Sequence, residues 1–137
     1  MGHPLEVGLV ATLGFRFLET TPDRVTLEWN VGPHLYQPYG ILHGGVHCAA
    51  VETAASIGAT MWFHDRVGAG NRRVVGVSNQ TDFLRAVDQG TLTAVATPIH
   101  RGRSQQLWQV EITDDQQRLV ARGQVRLQNL TAPPDPQ

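Results

Sequence analysis

Alternating apolar and polar residues predict strands near the beginning of the chain. In residues 24–31, RVTLEWNV, positions 25, 27, 29 and 31 are apolar and the intervening positions are polar. This alternation is typical of a strand with one buried face. Residues 14–24, GFRFLETTPDR, supply a partner strand followed by a turn at Thr21-Pro22-Asp23.

Four later segments are also interpreted as strands: residues 74–86, 91–100, 104–115 and 118–130. The turn-like segments 88–90, 101–103 and 114–116 separate them, so we expect hairpin connections. In the last segment one predicted face holds Leu119, Ala121, Gly123, Val125 and Leu127. Residues 131–137, TAPPDPQ, are expected to fray.

Between these groups, residues 48–63 predict one long helix that starts after Gly44 and Gly45. Glu52 is its only formal charge, among small and apolar residues. A surface helix normally carries a charged stripe, so this helix is expected to be covered almost all round. The order β-β-α-β-β-β-β therefore predicts an α+β fold, an antiparallel six-stranded sheet around one central helix. One sheet covers one side of the helix, and a second subunit is expected to cover more.

Composition narrows the function classes. The chain has 137 residues, 41% of them hydrophobic, and a net charge of −1, which predicts a single domain over residues 1–137. Without a basic excess, neither nucleic acid nor an anionic membrane is an expected partner. One cysteine and no secretion signal favour a cytoplasmic location. No apolar run approaches the roughly 20 residues of a membrane span.

Candidate chemistry centres on Glu52. A buried carboxylate without partners is costly, so such a residue usually has a role. Ser56 lies four residues later, on the same helical face. At the helix start, the backbone N–H groups of Gly44 and Gly45 lack intrahelical partners and lie at the positive end of the helix dipole. Such groups suit a carbonyl oxygen that becomes negative in a transition state, and Glu52 could act on the same carbonyl.

These residues carry a family resemblance. Residues 43–45 read HGG, the acidic residue follows nine positions after His43, and Gln37 precedes His43 by six. With GVS ending at Ser78, NQTDFLR at 79–85 and HRGR at 100–103, residues 12–130 resemble the hotdog-fold acyl-CoA thioesterases of the phenylacetate-degradation (PaaI-like) family. The aromatic branch, of the 4-hydroxybenzoyl-CoA type, is the most similar. Two positions depart from the pattern: Ala86 stands where the family often has Pro, and Ser56 where that branch tends to have Thr.

The resemblance implies hydrolysis of an acyl-CoA to a carboxylic acid and free CoA, with no metal or other cofactor. Gly44 N–H, alone or together with Gly45 N–H, would polarise the thioester carbonyl, and Glu52 would act as base or nucleophile. Gln37 and His43 would complete the catalytic group, while Ser56 and Ser78 would contact substrate or water. Arg101, Gly102 and Arg103 would bind the CoA phosphates. The family also implies a homodimer or a dimer of dimers (a homotetramer) whose sites are shared between chains.

Other readings of these residues stay open. Arg101 and Arg103 could be two solvated arginines at a hairpin tip. His43, His47 and Cys48 superficially suggest zinc, but the first histidine is followed by glycine instead of the glutamate of zinc proteases. A hotdog hydratase or dehydratase acting on acyl thioesters is the main alternative activity. A regulator that binds acyl-CoA without turnover is the third.

Overall fold

The computed structural model describes residues 3–70 and 72–131. The predicted tail therefore lies outside the described residues, except for Thr131. The helices are α1 (Gly8–Leu13), a 3₁₀ turn (Pro33–Leu35) and α2 (Gly44–Val67). The strands are β1 (Arg16–Thr20), β2 (Val25–Asn30), β3 (Arg73–Phe83), β4 (Thr91–Arg101), β5 (Gln105–Thr113) and β6 (Leu119–Leu130). All six predicted strands are present, whereas the sequence pattern gave no sign of α1.

The strands form one antiparallel sheet in the order β1-β2-β4-β5-β6-β3. The expected α+β hotdog architecture is confirmed. The expectation that hairpins join all four later strands is wrong for β3 and β4. β3 pairs with β6 at one edge, while β4 lies between β2 and β5. Residues 84–90 therefore cross from the edge strand to the middle of the sheet.

Helix α2 lies against one face of this sheet and is longer than the predicted segment 48–63. Small residues let it approach closely: a Cβ atom added at Gly58 would lie 2.6 Å from the Trp108 ring. Ala50, Ala54, Ala55 and Ala59 are fully buried. The helix ends at Val67 and is capped by Gly68, whose φ of 86° suits glycine. Within the described residues no helix is long and apolar enough to cross a membrane.

The core lies between α2 and the inward face of the four middle strands, and Phe15, Leu35 and Leu42 from connecting segments complete it. The alternation predicted for β2 and β6 is largely observed, with Leu27, Trp29, Val125 and Leu127 buried. Leu119, assigned to the same face of β6, is 37% exposed because it begins the strand. β3 differs from the other long strands because most of its residues are exposed on the free edge of the sheet. The exposed hydrophobic side chains of β3 are Val75, Val77 and Phe83, and Leu84, which follows the strand, is also exposed.

Candidate active site

The amino terminus of α2 provides one free backbone donor. His43 is the N-cap, and its ring Nδ1 accepts a hydrogen bond of 2.7 Å from Gly45 N–H. The backbone N–H of His43 itself donates to Leu35 O. Gly44 is the first helical residue, and its N–H has no acceptor among the described residues. The expectation that Gly45 N–H assists Gly44 is corrected here, because the His43 ring already occupies it.

Gly44 and Gln37 line a common cavity of about 340 Å³. Its other walls are mainly apolar: Ile41, Leu42, His47, Phe83, Leu84, Arg85, Ala86 and Val87. The Gln37 side chain accepts a hydrogen bond from Tyr39 N–H through Oε1. Its amide NH₂ is therefore the group that it can offer to a ligand. The structure thus brings the predicted loop glutamine to the free helix amide.

Glu52 lies elsewhere on the helix, half-buried beneath the free edge of β3. Its Oε1 lies 3.4 Å from the side-chain amide nitrogen of Asn79. Eight residues separate it from Gly44, which corresponds to about 12 Å along the helix axis and about 80° around it. A carbonyl in contact with Gly44 N–H would lie too far from Glu52 of the same helix. The expectation that both act on one carbonyl is therefore corrected for groups of a single chain.

The two predicted serines lie on opposite sides of the sheet. Ser56 is half-buried one helical turn after Glu52 and on the same face of α2. Ser78 pairs with Arg126, an exposed residue on the outer face of β6. Directly paired residues of antiparallel strands share a face, so Ser78 points away from α2. Ser56 can accompany Glu52 within one chain, whereas Ser78 cannot.

His47 lines the cavity that contains Gln37. It is 4% exposed, and its ring lies between those of Trp29 and Phe83, with centroid distances of 6.1 and 5.9 Å. Its Nδ1 is buried without a hydrogen-bond partner in the described structure. Burial lowers the pKa of His47 to about 4. The ring is therefore neutral at pH 7.

This pKa predicts a pH-dependent stability. Between pH 6.5 and 4 the unfolded chain protonates this histidine and the folded chain does not, so stability falls as the pH is lowered. The pKa difference corresponds to a loss of about 3 kcal/mol below pH 4. Urea unfolding of wild type and His47→Phe at pH 7 and pH 4 measures it. The variant should lose less stability on acidification, and an equal loss in both proteins would contradict the prediction.

The predicted phosphate-binding arginines border a second cavity, of about 500 Å³, near the carboxyl end of α2. Arg101 is already engaged: its Nη1 lies 2.7 Å from Asp23 Oδ1, and its guanidinium lies 5.5 Å from the centroid of the Trp62 ring. Arg103 is exposed, and Gly102 lines the same cavity. Arg103 is therefore the more available of the two predicted arginines.

Similarity to known proteins identifies the family. The family model described as "Thioesterase superfamily" matches residues 39–121. The chain belongs to the thioesterase superfamily.

Individual relatives agree with this assignment. The structure of the Mycobacterium tuberculosis protein Rv1847/MT1895 is similar with a TM-score of 0.87 and 49% identity, covering 93% of this chain and 100% of that one. The thioesterase HI1161 of Haemophilus influenzae is 31% identical with a TM-score of 0.82, covering 90% and 83%. A 1,4-dihydroxy-2-naphthoyl-CoA hydrolase of Listeria monocytogenes is 32% identical over 114 residues, 83% of this chain and 89% of the relative. This thioesterase is accordingly a hydrolase of thioesters, as its resemblance to the family implied.

Several features around the 500 Å³ cavity were not predicted from the sequence. The turn at Arg101–Arg103 is held by Asn129, whose side-chain nitrogen donates to Gly102 O and Arg103 O at 3.0 and 3.1 Å. The Asn129 oxygen accepts a 2.8 Å hydrogen bond from buried Gln106. The signal available in the sequence was Asn129 itself, a polar residue on the predicted apolar face of β6. Trp62 lies beneath the guanidinium groups of Arg66 and Arg101. The sequence carried no signal of this contact, because a tryptophan in an apolar helix is expected to be a core residue.

The zinc interpretation finds no support in the geometry. His43 caps the helix through its ring, and His47 is enclosed between aromatic rings. In residues 3–70 and 72–131 no group of three or more His, Cys, Asp or Glu side chains is placed to hold a metal ion.

Proposed function

We propose that this thioesterase hydrolyses acyl-CoA thioesters, using the free Gly44 N–H as the oxyanion donor and Glu52 as the reacting carboxylate. The observation that carries the proposal is the Gly44 N–H, which has no acceptor among residues 3–70 and 72–131 and lines a mainly apolar cavity together with Gln37. This donor lies at the positive end of a 24-residue helix, where developing negative charge is stabilised. The Listeria relative acts, by its name, on an aromatic acyl-CoA. A cavity walled by Phe83 and Leu84 suits an aromatic acyl group.

The reaction begins with the thioester carbonyl oxygen on Gly44 N–H. In the first route, Glu52 removes a proton from water while the water oxygen attacks the carbonyl carbon. The tetrahedral oxyanion is stabilised by Gly44 N–H and by the amide NH₂ of Gln37. As the carbonyl reforms, the C–S bond breaks and CoA leaves as a thiolate, which then takes up a proton. Substrate and water supply all reacting atoms, so the proposal includes no metal or other cofactor.

In the second route Glu52 attacks the carbonyl carbon directly. The C–S bond then breaks to give a mixed anhydride, which water hydrolyses to regenerate the carboxylate. Both routes need the Glu52 carboxylate beside a carbonyl held on Gly44 N–H. They therefore make the same demand on the arrangement of residues.

A carbonyl held on Gly44 N–H can meet a Glu52 carboxylate only if the two groups come from different chains. Within one chain the Gly44 donor and the Glu52 carboxylate are separated by about 12 Å of helix. β3 offers an exposed edge of 11 residues bearing apolar Val75 and Val77. Exposed edges with apolar side chains favour pairing with another chain. A dimer along this edge would bring Glu52 of one chain toward Gly44 of the other, and two such dimers would give a dimer of dimers.

We place the CoA nucleotide in the 500 Å³ cavity, with Arg103 and Arg72 near its phosphates. Trp62, also in this cavity, lies ten residues after Glu52, about 15 Å along the helix. The extended pantetheine arm can bridge such a distance. Arg101 helps to shape this cavity, and we assign it no phosphate contact because its guanidinium already forms an ion pair with Asp23.

A panel of thioesters with a thiol reporter tests the function. We expect release of free CoA from acyl-CoA esters, highest for aromatic acyl groups, and a lower KM for a CoA ester than for the pantetheine ester of the same acid. Monitoring the absorbance of an enoyl-CoA detects hydration instead. Hydration without thiol release would identify a hydratase, and tight binding without either reaction would identify a regulator. Both outcomes contradict the proposal.

A further inference from the structure

The edge strand β3 passes Glu52 with an irregular register. The pairing with β6 shifts between Gly76 and Ser78, which marks a β-bulge. Gly76 pairs with Leu127 and Asn79 with Val125, both buried residues that face α2. Without the bulge, Gly76 and Asn79 would point to opposite faces, because side chains alternate along a strand. The bulge therefore turns both residues toward Glu52.

Asn79 connects the strand to the carboxylate. Its Nδ2 donates to Cys48 O at 3.0 Å and lies 3.4 Å from Glu52 Oε1. Both of these oxygens can only accept, so the amide must present its NH₂ group to them. On the other side, Thr81 Oγ1 donates a 2.7 Å hydrogen bond to Asn79 Oδ1. The hydroxyl and the two acceptors thus select one orientation of the amide.

Gly76 provides the space for the second carboxylate oxygen. A Cβ atom added at Gly76 would overlap Glu52 Oε2 and lie 3.0 Å from Glu52 Cδ. The obstructing atoms are the end of a flexible side chain. A larger residue at Gly76 would therefore displace the carboxylate and leave the backbone in place.

We propose that Asn79 and Gly76 are positioning residues that hold the Glu52 carboxylate in its reactive orientation, and that Thr81 sets the orientation of the Asn79 amide. The inference rests on the proposed role of Glu52 and deepens it. Asn79 donates a hydrogen bond to one carboxylate oxygen, and Gly76 leaves space for the other oxygen against the strand. The substrate itself need not contact either residue.

Steady-state kinetics with the best acyl-CoA substrate of the panel test this inference. Asn79→Ala should lower kcat about tenfold, the typical effect of losing a hydrogen bond to a charged group. Gly76→Ala should lower kcat about a hundredfold, because it misplaces the reacting group. Thr81→Val should lower kcat a few-fold, and Thr81→Ser, which keeps the hydroxyl, should restore it. KM, thermal unfolding and the mass of the assembly should stay at wild-type values.

Gln80→Ala is the matched control, because Gln80 lies between Asn79 and Thr81 and pairs with Gln124 on the outer face. It should have wild-type kcat. Combining Asn79→Ala with Glu52→Gln should cause no loss beyond that of Glu52→Gln alone. If Glu52→Gln is inactive while Asn79→Ala and Gly76→Ala keep wild-type kcat, the positioning inference is overturned and the proposed function stands. If Glu52→Gln retains wild-type activity, the proposed function fails, and this inference fails with it.

Discussion

Replacing Glu52 with glutamine is expected to lower kcat for acyl-CoA hydrolysis by about 100- to 10,000-fold, the range that general acid–base catalysis typically contributes. Glutamine has nearly the same shape and keeps an oxygen for the Asn79 amide, 3.4 Å away in the wild-type protein. Glu52 is half-buried, and loss of its charge removes no ion pair in the described structure. Stability and assembly should therefore be unchanged. Thiol release measures turnover, and chemical denaturation measures stability.

Asp65→Asn provides the comparison for this variant, since Asp65 is an exposed carboxylate near the end of the same helix. It should retain wild-type turnover. Residual activity of Glu52→Gln above a tenth of the wild-type kcat would show that another group reacts with the thioester. A Glu52→Gln protein that unfolds more easily would instead assign the residue a structural role.

The second prediction with a large expected effect tests whether active sites are shared between chains. It uses a substitution at Gly44. Proline is tolerated at the first residue of a helix, where its missing N–H costs no intrahelical bond. The preceding residue, His43, has a ψ of 131°, which is compatible with a following proline. Gly44→Pro should therefore remove the oxyanion donor, preserve α2 and lower kcat by about 100- to 1,000-fold.

Mixing this variant with Glu52→Gln should restore activity. In a mixed dimer, one site combines the intact Gly44 of one chain with the intact Glu52 of the other. Random exchange makes half of the dimers mixed, each with one intact site, so about a quarter of the wild-type activity should return. Thiol release is followed after demonstrated subunit exchange, for example by mass analysis of chains carrying different tags.

Gly44→Ala controls for the added side chain, because its Cβ would also meet the Phe83 ring, at 2.8 Å, but its N–H remains. It should be much more active than Gly44→Pro. If exchange occurs and the mixture stays inactive, the Gly44 donor and Glu52 do not serve one shared site. A fully active monomer would contradict the dimeric site directly.

Much of the secondary structure could be predicted because its signals are local. Residues 24–31 and 118–130 alternate between apolar and polar side chains, and β2 and β6 formed there. The single charge in the helical segment identified Glu52 as the candidate for chemistry, and the HGG motif with its spacing to Glu52 indicated the superfamily. α1 was missed because six residues are too few to show a clear apolar period, and only Val10 and Leu13 are partly buried, against the core.

The features of the fold that could not be predicted depend on contacts between distant segments. The turn signals around residues 88–90 resemble a hairpin, yet β3 pairs with β6, because strand order is decided by packing of the whole sheet and not by the connecting loop.

The site shows the same division between local pattern and tertiary contact. Local sequence could place glycines at a helix start, but only the folded loop shows that the His43 ring occupies Gly45 N–H and leaves that of Gly44 free. Likewise, the bulge after Gly76 reverses which β3 side chains face α2, turning Asn79 toward Glu52 and Ser78 away from it. A one-residue shift exchanges the two faces of a strand, and such a shift arises from pairing with a partner strand, which the local pattern does not encode.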